Sequence, residues 1–386
     1  MNPLSELVAL SAQDKLHRGL LYTPAEIMQQ PATWEGTFRL FVSLEEQLKT
    51  FLQPLIEGRC TVYLVGAGSS DYIGHTLTHL LRKSWRCEVS AVASTDLLTN
   101  RDDLILPERN YLWISFSRSG ESPEGVAVLE QALAKNPKVR HLIVSCNQDG
   151  RMVKLARQNR ATCLPVVLDD AVNDRSLAMT SSFTNMVVFG QAMAHLWHRD
   201  GYAETLEKMR EAAGFLLEDG ASLAAHLASV GYQDACFIGA GALNAAARES
   251  ALKLTELTSG ATRAISETTL GLRHGPMSSL NHQTLLVILL SKDERRQRYD
   301  GDLLAELKRK QLVPCVVAVG GMQPDATHSL SHPSFDGISD DYRPAVDVLF
   351  GQMLGLFASL RCGLKPDSPS PAGVISRVVD HFTIYA

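Results

Sequence analysis

The chain has 386 residues, of which 45% are hydrophobic and 20% charged, and its formal net charge is −5. That length predicts two domains of ordinary size with a core large enough to need no disulfide or metal staple. The acidic balance argues against nucleic acid as a partner, and the densest basic run, Arg295-Arg296-Gln297-Arg298, reads as a solvated helix face.

Residues 1–58 predict a helical segment. Phe41, Leu44, Leu48, Leu52 and Leu55 form an apolar stripe at helical spacing, and Pro24 and Pro31 mark helix starts or breaks. At Thr61 the pattern changes to short apolar runs: Thr61–Val65, Glu88–Val92, Tyr111–Phe116, His141–Ser145 and Cys163–Leu168. Helical stretches such as Pro123–Ala134 separate several of them. Strands alternating with helices predict a parallel sheet covered on both faces. A helical pair follows, over Ser181–Arg199 and Ala203–Val230. The first pattern then returns, with runs at Ala235–Ile238, Thr284–Leu290 and Val313–Val319 and a helix near Arg298–Arg309. The repetition predicts an internal duplication. The Pro- and Ser-rich stretch from Lys365 to Gly373 reads as a surface loop. The longest apolar runs are strand-length, so no bilayer span is expected.

Seven cysteines, Cys60, Cys87, Cys146, Cys163, Cys236, Cys315 and Cys362, are scattered without a CxxC pair. They fit free thiols in a reducing cytosol. No His/Cys cluster has metal-ligand spacing, so neither a metal nor another cofactor is expected. The N-terminus lacks an apolar run followed by a cleavage site, which predicts a cytoplasmic protein.

Four stretches could carry chemistry. Gly66-Ala67-Gly68-Ser69-Ser70 follows a strand. It is either an anion cradle of backbone N–H groups and hydroxyls or a tight turn with serine caps. Its spacing does not make the GxGxxG fingerprint of dinucleotide binding. Ser117-Arg118-Ser119-Gly120-Glu121-Ser122-Pro123 ends another strand and opens a helix with proline. Two hydroxyl-rich loops at the carboxyl ends of two strands of one sheet favour a ligand site. Asp174 to Ser182 is a further hydroxyl-lined helix start or a plain cap. Glu249, Lys253 and Glu256 share one helix face, as a solvated ion-paired face or as reacting groups, and His274 stands in an Arg-His-Gly-Pro loop as a proton carrier or a structural histidine.

Together these stretches resemble sugar-isomerase (SIS) domains, and more closely the AgaS family of bacterial amino-sugar catabolism. The matching segments are Ser94–Asn100, Ser117–Pro123, Ala178–Ser182, Ala246–Lys253 and Arg273–Pro276. The resemblance implies two tandem doubly wound α/β domains with flavodoxin-like parallel sheets. The expected division is an N-terminal helical segment over 1–58, SIS domains over 59–200 and 201–364, and a tail over 365–386. It also implies a 6-phosphosugar substrate and a homodimer or higher homo-oligomer.

By similarity to the isomerase half of glucosamine-6-phosphate synthase, Ser69, Ser70, Ser117, Ser119 and Ser122 would hold the phosphate. Thr180 joins them as a substrate-binding residue, and Arg118 stands where the synthase has glutamine. Glu256 would move a proton between C2 and C1, Lys253 would orient or polarise sugar oxygens, and His274 would assist ring opening. The synthase forms a Schiff base with a tail lysine. The tail here has Ile375, Ser376 and Arg377 instead, and arginine does not readily form an imine. The activity the resemblance implies is deamination and isomerisation of galactosamine 6-phosphate. The alternatives are an aldose/ketose isomerase on a tagatose-type or glucosamine-type sugar 6-phosphate, and a non-catalytic sugar-phosphate sensor.

Overall fold

A computed structural model describes residues 2–198 and 201–385. It divides into two compact units whose chain segments are interleaved. One unit comprises Thr33–Asp174, Ser181–Tyr202 and Ile375–Ala386; the other comprises Met1–Ala32, Arg175–Thr180 and Ala203–Val374.

The first unit is built on strands β1 (Thr61–Gly66), β2 (Val89–Ala93), β3 (Tyr111–Ser117), β4 (Val139–Ser145) and β5 (Cys163–Val167). All are parallel and lie in the order β2-β1-β3-β4-β5. The central strand β3 is buried along its whole length, as the apolar Tyr-Leu-Trp-Ile-Ser-Phe run requires in a sheet covered on both faces. The helix Pro123–Lys135 joins two clusters on one face of the sheet, Tyr111, Trp113, Val128 and Val139 in one and Val126, Leu129, Ile143 and Val153 in the other. The helix Ser181–Met193 is buried at every position. Its polar residues have partners: the Trp34 indole donates to Thr184 Oγ1 at 3.0 Å and Thr37 donates to Asn185 Oδ1 at 2.6 Å. The sequence reading carried this helix on to Arg199. The structure ends it at Met193, and Arg199 lies outside the described residues.

The second unit repeats the plan with β6 (Asp234–Gly239), β7 (Arg263–Thr268), β8 (Thr284–Leu289), β9 (Cys315–Val319) and β10 (His328–Leu330). The order β10-β9-β8-β6-β7 is the first sheet's order read from the other edge, and again every pair is parallel. Two of these strands carry no clear apolar run. β7 is an edge strand with only partial burial, and β10 has three residues. An edge strand needs no continuous apolar face, so its sequence does not announce it.

Residues 202–230 are helical, as Tyr202–Phe215 and Ala221–Val230 joined by a π turn over Leu216–Gly220. The helix Ala242–Leu257 lies against Pro344–Arg361 at close range. A Cβ on Gly351 would stand 2.4 Å from Ser250 Cβ, and one on Gly355 would stand 3.1 Å from the Lys253 carbonyl.

Among the described residues no helix is long and apolar enough to cross a membrane, and no group of His, Cys, Asp and Glu is placed to hold a metal ion. All seven cysteines are free, six of them buried.

Candidate active site

In a sheet of order 2-1-3-4-5 the connections leave in opposite directions from the first and third strands. That opens a crevice beyond their carboxyl ends. Both hydroxyl-rich loops fall there, one after β1 and one after β3.

The β1 loop depends on its glycines. Gly66 passes so close to the helix behind it that a Cβ would lie 2.3 Å from the Ser70 carbonyl carbon. Gly68 has φ +57° and ψ −127°, a conformation open to glycine alone. The helix Ser69–Trp85 then starts with Gly68 as its N-cap, so no side chain caps it. Ser69 and Ser70 sit in its first turn, 5% and 7% exposed.

The β3 loop holds its hydroxyls as acceptors. Ser117 Oγ accepts from the Gly120 amide at 3.0 Å, and Ser119 Oγ accepts from the Glu121 amide at 3.1 Å. A hydroxyl that accepts keeps its own proton to donate. Ser122 is the N-cap of Pro123–Lys135 and makes no side-chain cap bond. Its hydroxyl therefore does not cap that helix. Arg118 is 7% exposed and its Nη2 donates to the Arg377 carbonyl at 2.7 Å. Arg377 is tied down in turn: Nε donates to the Asp174 carbonyl at 2.8 Å and Nη2 to Asn173 Oδ1 at 2.7 Å. The tail thus lies on the β3 loop through an arginine pair separated by 259 positions in sequence.

The third hydroxyl stretch is already occupied. Asp174, 1% exposed, accepts from the amides of Ser181 and Ser182, each at 2.9 Å, and from Ser182 Oγ at 2.5 Å. This is a helix cap supplied from seven residues upstream, outside the usual N-cap spacing. Thr180, in the other unit, is fully buried.

The duplicated crevice of the second sheet is filled by the chain itself. After β8, Asp340 accepts from the Lys292 amide at 2.8 Å, Ser291 Oγ at 2.5 Å and Arg296 Nη1 at 2.8 Å. Arg296 also covers Gly241, the counterpart of Gly68, where a Cβ would lie 3.3 Å from its Nη1. The two sheets share a topology, but in the second one a carboxylate of the chain takes the place an anionic ligand would need.

Lys253, Glu249 and Glu256 do come together, on the helix Ala242–Leu257. Lys253 Nζ lies 3.3 Å from Glu249 Oε1 and 2.5 Å from Glu256 Oε2. Lysine and Glu249 are buried, while the Glu256 side chain is 23% exposed. Burial alone would pull the lysine's pKa down, but the two carboxylates outweigh it and hold the pKa above its ordinary value. The bland reading, a solvated face, does not apply to a lysine enclosed between two acids.

His274 is exposed in the loop after the turn Gly271–Arg273. Its amide donates to the Gly271 carbonyl at 2.8 Å. No hydrogen bond joins its ring to Lys253 or Glu256 among the described residues. Its neighbour Arg273 is fixed by Glu306 at 2.7 Å.

A family model for the SIS domain matches residues 55–196. An AgaS relative from Streptomyces coelicolor is 36% identical, with the match covering 95% of this chain and 96% of the relative. The D-galactosamine-6-phosphate deaminase AgaS of Escherichia coli O157:H7 is 33% identical over 94% and 95%. The chain belongs to the AgaS family. The crystal structure of tagatose-6-phosphate ketose/aldose isomerase from Escherichia coli superimposes on this AgaS-family chain with a TM-score of 0.84. The two are 32% identical, over 92% of this chain and 95% of that one.

Proposed function

We propose that this AgaS-family chain converts galactosamine 6-phosphate and water to tagatose 6-phosphate and ammonia, in amino-sugar catabolism. The hydroxyls of Ser69, Ser70, Ser117, Ser119 and Ser122, with Arg118, hold the phosphate, and Thr180 contributes to substrate binding. His274 assists opening of the pyranose. Glu256 takes the C2 proton of the open aldose and a proton returns at C1, which leaves an imine at C2. Water adds to the imine carbon and the C–N bond breaks, releasing ammonia. Lys253 orients the sugar oxygens.

The observation that carries this reading is the lysine enclosed between two carboxylates, of which Glu256 alone is partly exposed. A carboxylate paired with a buried ammonium group, yet reachable, suits a general base. The names of the AgaS relatives support the substrate. The isomerase named among the solved structures keeps a second reading open, in which the same proton shift acts on a sugar carrying a C2 hydroxyl.

The deciding assay follows ammonia and ketose phosphate together on galactosamine 6-phosphate, with glucosamine 6-phosphate as the specificity control. Equal yields of both products uphold deamination. Ketose formed from a non-amino aldose phosphate, with no ammonia from either amino sugar, upholds the isomerase. Glu256→Gln is expected to lower kcat by at least about 100-fold with the fold intact; a fully active variant removes Glu256 as the base.

The same reading makes the chain a cytoplasmic homodimer or larger homo-oligomer. Its free, mostly buried thiols support a reducing compartment.

A further inference from the structure

Glu124 occupies the first turn of the helix Pro123–Lys135, two residues after the N-cap Ser122. It is 5% exposed. Its Oε2 is enclosed and has no hydrogen-bond partner, and no cation pairs with its carboxylate among the described residues. Other enclosed carboxylates each have a partner; Asp71, one oxygen of which is likewise enclosed without a hydrogen bond, has His75 at 3.4 Å from the other. Glu249 has Lys253, Asp174 has the Ser181 and Ser182 donors, Asp340 has Lys292, Ser291 and Arg296, and Asp347 has Arg343. A carboxylate left unpaired inside a protein is costly. A carboxylate only accepts, so its missing partner must be a donor.

The direction of the side chain limits what that donor can be. Helical Cα–Cβ bonds tilt towards the N-terminus, so a first-turn side chain leans back over the preceding loop. That loop is Ser117–Ser122, the one assigned above to phosphate.

We propose that Glu124 is a substrate-positioning residue, whose carboxylate accepts a hydrogen bond from a hydroxyl or ammonium group on the carbon skeleton of the bound sugar phosphate. It rests on the reading of the β3 loop as the phosphate site. The free protein then carries an unpaired acid that the ligand completes. Removing the charge should strengthen the empty protein and weaken the loaded one, the reverse of what a structural carboxylate would do.

The test compares Glu124→Gln and Glu124→Met with wild type by calorimetric binding of inorganic phosphate and of galactosamine 6-phosphate, and by melting of the ligand-free protein. Inorganic phosphate probes the loop alone, since it has no carbon-borne donor. The expected result is phosphate affinity within about twofold of wild type, sugar-phosphate affinity and KM poorer by about 10-fold or more, and a melting temperature equal or higher. If wild type binds no phosphate, the loop assignment fails and this proposal with it. If phosphate binds and the variants hold the sugar phosphate as well as wild type, the loop stands and Glu124 has no such role. A lower melting temperature or a failure to fold makes the carboxylate structural. A change of oligomeric state on light scattering, with sugar binding intact, gives its donor to a second copy of the chain. Each of these last two outcomes also overturns the proposal.

Discussion

At the residue scale, the decisive facts concern charges that the chain encloses. Lys253 is buried between Glu249 and Glu256, and removing one partner of such a set leaves an acid in a low-dielectric interior. Lys253→Met is therefore expected to cost about 3 to 5 kcal/mol in a denaturant titration, while Lys253→Met combined with Glu249→Met should recover most of that loss. His141, on β4, is 1% exposed and meets the Trp113 ring edge-on. Burial, and then Arg140, pull its pKa from the ordinary 6.5 down to about 4. The folded chain keeps this ring neutral while the unfolded chain protonates it near 6.5. Stability from this group is thus complete above that pH and is lost as pH falls towards 4. Between about pH 7 and pH 4.5 the loss should be about 2 to 3 kcal/mol. Denaturation midpoints of wild type and His141→Phe at the two pH values check it, because the variant should lack that share of the acid limb.

At the element scale, the helix bearing Lys253 and Glu256 is located by what its neighbour leaves out. Gly351 and Gly355, one turn apart on Pro344–Arg361, let the two helix backbones approach. Gly351→Ala would put a methyl group 2.4 Å from Ser250 Cβ, where both atoms belong to rigid positions. The expected cost is about 1 to 3 kcal/mol, read as a lower melting temperature. Activity should fall further than that of a surface variant of equal stability, because Ser250 and Lys253 share a helix. The strand-turn-helix unit around the Gly66–Ser70 loop was legible in sequence, since a buried strand, a glycine turn and a helix start each leave a local mark. The edge strands β7 and β10 were not, because pairing with a neighbour forms them rather than any apolar run of their own.

At the scale of the whole molecule, distant parts of the chain complete the β3 loop. Arg377 carries the tail to Arg118 and is anchored on Asn173 and Asp174. Arg377→Ala should release that anchor without touching the core. Faster amide exchange over residues 375–385 and a KM for sugar phosphate raised several-fold, with an unchanged melting temperature, are the expected signs. An unchanged exchange pattern would mean that the tail is held elsewhere.

The sequence by itself determined the duplicated α/β plan, the family and the residue types of the candidate site. Each of these is written in local periodicity and short motifs: Gly66 to Ser70, Ser117 to Pro123, Glu249 to Glu256. Only the tertiary structure decided which of the repeated features remain available. It gave the second crevice to Asp340, the Ser181 helix start to Asp174, and a partnerless burial to Glu124. The physical reason is that hydrogen-bond satisfaction of a buried group depends on neighbours 7, 48 or 259 positions away, whose proximity no local pattern records.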